Sequence, residues 1–458
     1  MIKQWIDKQL YRGVSVTPLV AFRIAFGALV LFSSLRFMWN GWVEELYIQP
    51  VFHFSYLGFG WIEPLEGNWM YLPFIIMSLA ALGIILGAFY RISTSLFFLA
   101  FTYVELLDKA NYLNHYYFVS LMAFILIWMP AHVDFSIDAK RKPIIRKTII
   151  PNWPIFLLQL QLGIVYFFAG IAKIHPDWLF EAQPLRMWLQ SYRDLPLVGN
   201  LLASSWVAFF FSWFGCIYDL SIPFFLSFKR TRNWAYFFVI SFHVLTWILF
   251  PIGVFPWVMI CATLIFFPAT FHDQWIGFLK RIFQWEKLQA PSSIHLFSRK
   301  RILLFIGIYA FFQLTIPFRY VLYPGNLFWT EEGFRFSWRV MLMEKKGFAT
   351  FYVIDPKTNG SIEIDNSKYL SMQQMDQMAR QPDMILQYAH FLGNKYTDTT
   401  LIFGTKHVHL QRPKVTAKVF VTLNGRPHQQ FIDETVDLMN IQYNLKHRAW
   451  IRPFVDSH

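Results

Sequence analysis

Residues 154–174 read Pro154-Ile155-Phe156-Leu157-Leu158-Gln159-Leu160-Gln161-Leu162-Gly163-Ile164-Val165-Tyr166-Phe167-Phe168-Ala169-Gly170-Ile171-Ala172-Lys173-Ile174. A helix over this run would be about 30 Å long, the thickness of a bilayer's hydrocarbon core. It is apolar on every side, which in water would leave uncovered surface and in lipid needs no cover. Similar runs cover roughly 17–38, 71–90, 93–108, 114–131, 206–227, 233–250, 254–271 and 302–322, which makes nine candidate spans. The 458 residues are 55% apolar, 20% aromatic and 15% charged, against about a quarter charged in soluble domains. The expected fold is therefore an α-helical polytopic membrane bundle over 1–323, with a small α+β domain over 324–458.

The net charge of +13 is not spread along one face as nucleic-acid binding would need. It falls in clusters between the apolar runs: Lys3, Lys8 and Arg12; Lys140, Arg141, Lys142, Arg146 and Lys147; Lys229, Arg230 and Arg232; Lys280 and Arg281; Arg299, Lys300 and Arg301. Nine crossings from a cytoplasmic N-terminus put all of them in the cytoplasm, as the positive-inside rule requires, and everything after Tyr323 on the other side. An eight-span path strands at least one cluster. No cleavable signal is expected, because Arg12 to Thr17 leads into a long segment with no small-residue cleavage site. Cys216 and Cys261 both lie in apolar runs and offer no disulfide framework.

The loops at about 40–70 and 175–205 are rich in Trp, Tyr, Pro and Gly and are expected to cap the bundle at headgroup level. After Pro324 the composition turns polar. Phe348 to Ile354, the Asp355-Pro356-Lys357-Thr358-Asn359-Gly360 turn and Ile362 to Ile364 predict a hairpin. Met372 to Leu392 predicts a helix, and Lys414 to Leu423 a strand ending in Asn424-Gly425. Asn359-Gly360-Ser361 fits a glycosylation sequon, but the turn alone explains those residues. His407 and His409 are two apart on a predicted strand, and two ligands do not make a metal site.

Charged side chains inside spans are costly and are functional candidates by default. Three places qualify. Glu105-Leu106-Leu107-Asp108-Lys109-Ala110-Asn111-Tyr112-Leu113-Asn114-His115 gathers carboxylates, an amine, amides and an imidazole where two spans meet. It reads equally as a polar turn with a snorkelling lysine or as a catalytic cluster. Asp219 stands alone between Trp206 and Phe228 and needs a partner such as Lys173, Arg23 or a histidine; a structural ion pair serves as well as a catalytic one. His243 sits mid-span, ahead of the Pro251-Ile252-Gly253 break, and a helix-to-helix hydrogen bond is its simplest use. A desolvated lysine is different, because loss of water lowers its pKa and leaves a free amine able to act as a base.

At Asp108-Lys109 followed by Asn114-His115 the chain resembles the vitamin K-dependent gamma-glutamyl carboxylase family, whose Asp-Lys-x-x-x-x-Asn-His segment carries the catalytic lysine. The resemblance extends to Phe22-Arg23-Ile24-Ala25-Phe26-Gly27, Asn68-Trp69-Met70-Tyr71, Gly87 to Ser93, Ile164 to Lys173 with Asp177-Trp178, Tyr218-Asp219-Leu220 and Ser241-Phe242-His243. In the polar part it continues through Phe336-Ser337-Trp338-Arg339-Val340-Met341, Leu386-Gln387-Tyr388-Ala389, Leu423-Asn424-Gly425-Arg426, Gln429-Gln430 and Val436-Asp437.

The resemblance implies that Lys109, as a neutral amine, deprotonates reduced vitamin K (the hydroquinone). O2 then adds, the oxygenated quinone takes a γ-proton from a protein-bound glutamate, and CO2 traps the carbanion as the vitamin leaves as an epoxide. A glutamyl C–H is too weak an acid for any side-chain base, so a cofactor's oxidation must drive the step. Asp108, Asn114, His115 and His243 are then supporting groups, and Arg23, Lys173 and Asp219 candidate cofactor contacts. No metal or nucleic acid is expected; the partners are the bilayer, a lipophilic quinol and a glutamate-containing protein or peptide. Animal members continue beyond the part matched here, into a region that helps to grip a substrate propeptide, so substrate recognition is open. Two rivals remain: a quinol epoxidase of the same fold without protein carboxylation, and a non-enzymatic membrane transporter or assembly protein. The second predicts inverted repeats, of which the sequence shows none clearly.

Overall fold

The computed structural model of the protein describes residues 9–285, 298–403 and 406–456, the side chains of 401–403, 406 and 407 excepted. Lys3 and Lys8 lie outside the described residues, as does the side chain of His407. All nine apolar runs fold wholly or largely as helix. The elements are α1 Thr17–Trp39, α2 Tyr71–Leu86, α3 Tyr90–Leu107, α4 Asn114–Trp128, α5 Trp153–Ala172, α6 Ser205–Ser227, α7 Arg232–Leu249, α8 Phe255–Thr263, α9 Ala269–Ile282 and α10 Arg299–Thr315.

Among the described residues five helical stretches are long and apolar enough to cross a membrane: Thr17–Trp39, Gly67–Leu86, Trp153–Ala172, Ser205–Ser227 and Arg299–Leu322. The count becomes six if Phe255–Phe266 and Ala269–Ile282, bent by 111° at Phe267-Pro268, form one broken span. That is fewer than the nine expected, for local reasons. α3 carries Arg91 and Glu105, and α4 has 15 residues. Pro268, which lacks an N–H and disfavours helix in the residue before it, turns the chain sharply after the short α8.

Close approach of two helices needs small residues. A Cβ at Gly27 would lie 2.7 Å from Ile85 on α2, and one at Gly170 2.7 Å from Leu220 on α6, so α1 packs on α2 and α5 on α6 backbone to backbone. At one end of the bundle Asp134 accepts from Arg146 (3.3 Å) and from Lys280 (2.5 Å), drawing members of two basic clusters to the same side.

At the other end sits the sheet-containing C-terminal region. Its strands are β1 Lys345–Ile354, β2 Ser361–Ile364, β3 Thr399–Phe403, β4 Lys406–Leu410, β5 Lys414–Leu423 and β6 Gln429–Gln430. The four-stranded antiparallel sheet has the order β2-β1-β5-β6, while β3 and β4 form a separate hairpin. The expected hairpin forms with Phe351 opposite Ile364, and β5 ends where Asn424 and Gly425 take positive φ. The helix expected over Met372 to Leu392 is two helices, α11 Met372–Met378 and α12 Pro382–Tyr396. Pro382 forces Gln381 into an extended conformation and starts a new helix, which brings Asp383 into its first turn.

The loops expected to cap the bundle are the platform on which this region rests. Gln374 donates to the Phe52 carbonyl (2.7 Å) and Gln387 to that of Ser55 (2.9 Å), while Trp188 donates to Glu344 (2.7 Å). Phe54, Ala110, Trp178 and Leu185 from the loops share one buried cluster with Phe351, Tyr388 and Val419. Arg426 grips Asp177 with both terminal nitrogens (2.9 and 3.0 Å), and Asn424 donates to the same carboxylate at 2.6 Å.

Asp177→Ala is expected to lower the stability of the purified protein by roughly 3 kcal/mol, the low end for a broken buried pair, because Asp456 still faces Arg426. Burial pushes the Asp177 pKa up but Arg426 and Asn424 outweigh it, so the net shift is downward. A carboxylate with a depressed pKa stabilises the fold above its ordinary value of 3.8, and that stability is lost as the pH falls below this value through the folded one. A thermal melt in detergent at pH 7 and below pH 3 checks both: the gap between wild type and variant should narrow at the lower pH.

Candidate active site

α3 stops at Leu107 because Asp108 is extended and caps the short 3₁₀ turn Lys109–Asn111. Asp108 accepts from Ala110 N–H (2.8 Å), Phe54 N–H (3.4 Å) and Gln374 Nε2 (2.7 Å), and the Lys109 N–H donates to the Phe54 carbonyl at 2.8 Å. Asp108 is thus the clamp that fixes where Lys109 begins. Burial lifts its pKa to about 6 against these hydrogen bonds.

The Lys109 side chain is 1% exposed. Its Nζ lies 2.8 Å from Asp383 Oδ2, donates to the Tyr443 hydroxyl at 2.9 Å and sits 4.9 Å from the centre of that ring. The same Asp383 oxygen accepts from Arg335 Nη1 at 2.7 Å, and Arg335 also donates to Gln381. A lysine from the membrane part is thereby enclosed by three separate segments of the C-terminal region. Burial, aided by the like charge of Arg335, lowers the Lys109 pKa to about 8 against the pull of Asp383. Burial alone would raise Asp383, but Arg335 first, then Lys109 and Arg448, hold it far below the usual carboxylate range.

Lys109 lines a cavity of about 770 Å³ with Asn114, His115, Phe255, Arg335 and Lys345. Asn114 donates to the Arg339 carbonyl (2.8 Å) and accepts from the Tyr112 hydroxyl (3.0 Å), so it holds the far wall of the cavity. His115 meets the Tyr116 ring edge-on at 4.6 Å and lies tilted against Phe255 at 5.7 Å. Ile252, Phe255, Val340 and Met341 separate this cavity from a second one of about 340 Å³, lined by Phe214, Phe242, His243, Lys173 and Asp219 among mostly apolar groups.

Lys173 resolves the question of Asp219's partner, with Nζ 2.6 Å from its carboxylate. His243 makes the expected helix-to-helix bond, to the Tyr166 hydroxyl at 3.0 Å, yet among the described residues its buried Nδ1 has no partner. Arg23 does not join them. It is fully buried elsewhere, donating to the carbonyls of Ala131 (2.9 Å) and Phe135 (2.6 Å) in the loop after α4 and of Ile85 (3.3 Å) in the last turn of α2.

Among the described residues no three His, Cys, Asp or Glu side chains gather as metal ligands. Asp383, Arg335 and Tyr443 were not legible as site residues. The motif-bearing segments Phe336 to Met341 and Leu386 to Ala389 run close to two of them, but only the fold brings them to Lys109.

An HTTM domain model matches residues 11–271, and a model of the vitamin K-dependent gamma-carboxylase lumenal domain matches residues 298–457. No solved structure matches the chain. The first match contains the lysine and the second its ion-pair partner, and the second also takes in the apolar helix α10. The chain belongs to the vitamin K-dependent gamma-carboxylase family.

Proposed function

We propose that the protein carboxylates glutamate in a protein or peptide, with Lys109 as the base that starts the reaction on reduced vitamin K. The observation that carries this is the position of the Lys109 amine: buried at the seam between bundle and C-terminal region, on the wall of one cavity, with a largely apolar cavity beside it. A lipophilic quinol suits that pair of cavities. The apolar one opens among membrane helices, and His243 puts an imidazole in its lining.

Reduced vitamin K bound here would supply, with O2, the oxidation needed for a base strong enough to remove a glutamyl γ-proton, with epoxide and water as its products and CO2 taken up in the new C–C bond. The chain's own residues do the rest. Lys109 takes up a proton at Nζ and passes from free amine to ammonium. Asp383 and Tyr443 accept hydrogen bonds from that ammonium and so stabilise it as it forms. Asp108 and Asn114 hold the turn and the facing wall, and the apolar lining keeps bulk water away from reactive groups. The cavity wall is strongly cationic, with Arg36, Arg335, Arg339, Lys345 and Arg380 against Glu331, which suits an anionic substrate side chain. In this reading the N-terminus is cytoplasmic, the chain crosses nine times and the C-terminal region lies on the lumenal or periplasmic side.

The test is incubation of the detergent-purified protein with reduced vitamin K, O2, labelled bicarbonate and a glutamate-containing peptide, with Lys109→Ala as control. Epoxide and peptide label that both depend on Lys109 are expected. Epoxide without label would replace this function with quinol oxidation alone, and neither product from a folded preparation would remove it.

A further inference from the structure

The loop from Gly333 to Met341 is held in a costly shape. Phe336, Trp338 and Met341 take left-handed backbone angles, with φ of 59°, 57° and 54°, a region that non-glycine residues enter only at a cost. Such strain persists only where the surroundings impose it. Here the Lys109 turn and the start of α4 impose it. The Tyr112 hydroxyl accepts from the Phe336 N–H at 2.8 Å, Asn114 donates to the Arg339 carbonyl at 2.8 Å, and the buried Trp338 ring stacks on Tyr117.

What the loop presents is Arg339, 8% exposed. The buried Lys109, Lys345 and Arg426 each have a carboxylate partner. Among the described residues no carboxylate pairs with Arg339: its guanidinium lies 4.4 Å from the centre of the Tyr320 ring and interacts with that side chain, while its Nε is buried with no hydrogen-bond partner. Burial lowers its pKa from the usual arginine value, so the charge is poorly solvated where it stands. Arg339 lines two cavities at once, that of Lys109 and a polar one of about 390 Å³ bounded by His175, Tyr320, Asn326, Thr330 and Glu332. Glu332 is already engaged, by the Arg448 N–H and by His447, both at 2.8 Å.

We propose that Arg339 anchors a carboxylate-type oxyanion in this polar cavity, at the wall it shares with the Lys109 cavity. An unpaired buried charge is expensive, and the planar fork of a guanidinium matches the two oxygens of a carboxylate or bicarbonate. For the identity of the anion the inference rests on the carboxylase reading: a glutamyl side chain of the substrate or bicarbonate, the hydrated form of CO2.

Binding of three probes to the full-length purified protein tests it by calorimetry without turnover: a blocked peptide with one glutamate, the same peptide with glutamine, and sodium bicarbonate. Wild type should bind the glutamate peptide or bicarbonate, and Arg339→Gln should bind that probe about tenfold or more weakly, with the glutamine peptide unaffected. Arg339→Lys, which keeps the charge and loses the fork, should fall between, and it decides the matter if the glutamine variant does not fold. A preference for the glutamate peptide names a substrate anchor; binding of bicarbonate alone names a site for the CO2 source. Equal binding by wild type and both variants, or no binding by wild type, overturns the proposal. Anion binding that depends on Arg339 without any peptide labelling in turnover would instead sink the carboxylase reading and leave the anion site standing.

Discussion

Lys109→Met is expected to reduce epoxide formation by about 10²- to 10⁴-fold, the usual worth of a positioned general base, while leaving the protein folded. The second half of that expectation comes from the geometry. Removing one partner of a buried ion pair normally strands the other, but Asp383 keeps Arg335 at 2.7 Å on the same oxygen. Methionine fills most of the volume of the lysine stem, and the Tyr443 hydroxyl loses one donor only. A thermal melt and an epoxide assay on the same preparation check both halves. Full epoxide formation in the variant would remove Lys109 from the chemistry. A collapsed melt would show that the ion pair is structural first.

The second large effect concerns pH. With Lys109 in the proposed role of base its free amine is the working form, so epoxidation should rise with pH along a titration centred near the amine's pKa of about 8. About a tenth of the amine is then free at pH 7. The groups facing it are Asp383, Arg335, Arg448 and Tyr443, with Asp108 beside it in the chain. Asp383→Asn deletes the anion that favours the ammonium and leaves Arg335 as a bare like charge, so the midpoint should fall. Arg335→Gln does the reverse: it removes the like charge and gives Lys109 the undivided carboxylate, so the midpoint should rise. Shifts of a unit or more are expected from neighbouring charges at such distances, and each unit changes the free amine at pH 7 by up to tenfold. Asp383→Asn should also destabilise the protein by about 3–5 kcal/mol, since it strands the Arg335 guanidinium. General loosening would move both profiles the same way, so opposite shifts separate tuning from damage. The pH dependence of amine-selective labelling at Lys109 reads the same pKa without turnover, and coincident profiles in all three proteins would dismiss the idea.

The sequence by itself determined the solvent and the lysine. Runs such as 154–174 have one physically acceptable environment whatever their neighbours do, and a composition change near Pro324 marks where that environment ends. Asp108, Lys109 and Asn114 were legible because they act within a few residues of one another, where local turn chemistry and the motif coincide. The hairpin at Asp355 to Gly360 and the strand ending at Asn424-Gly425 were legible for the same reason.

The tertiary structure decided what is long-range. Asp383 and Arg335 are hundreds of positions from Lys109, and no local periodicity records that Pro382 breaks a helix just where its first turn must face a membrane lysine. Lys173 rather than Arg23 or a histidine pairs with Asp219 because Gly170 lets α5 and α6 close on each other, a contact set by packing. Arg23 lies apart from the site because the carbonyls of Ile85 at the end of α2 and of Ala131 and Phe135 in the loop after α4 take its donors, and only the folded chain shows where those carbonyls converge. The position of Lys109 is set by local chemistry; its pKa is set by distant residues, because burial and charge pairing depend on what surrounds a group in space.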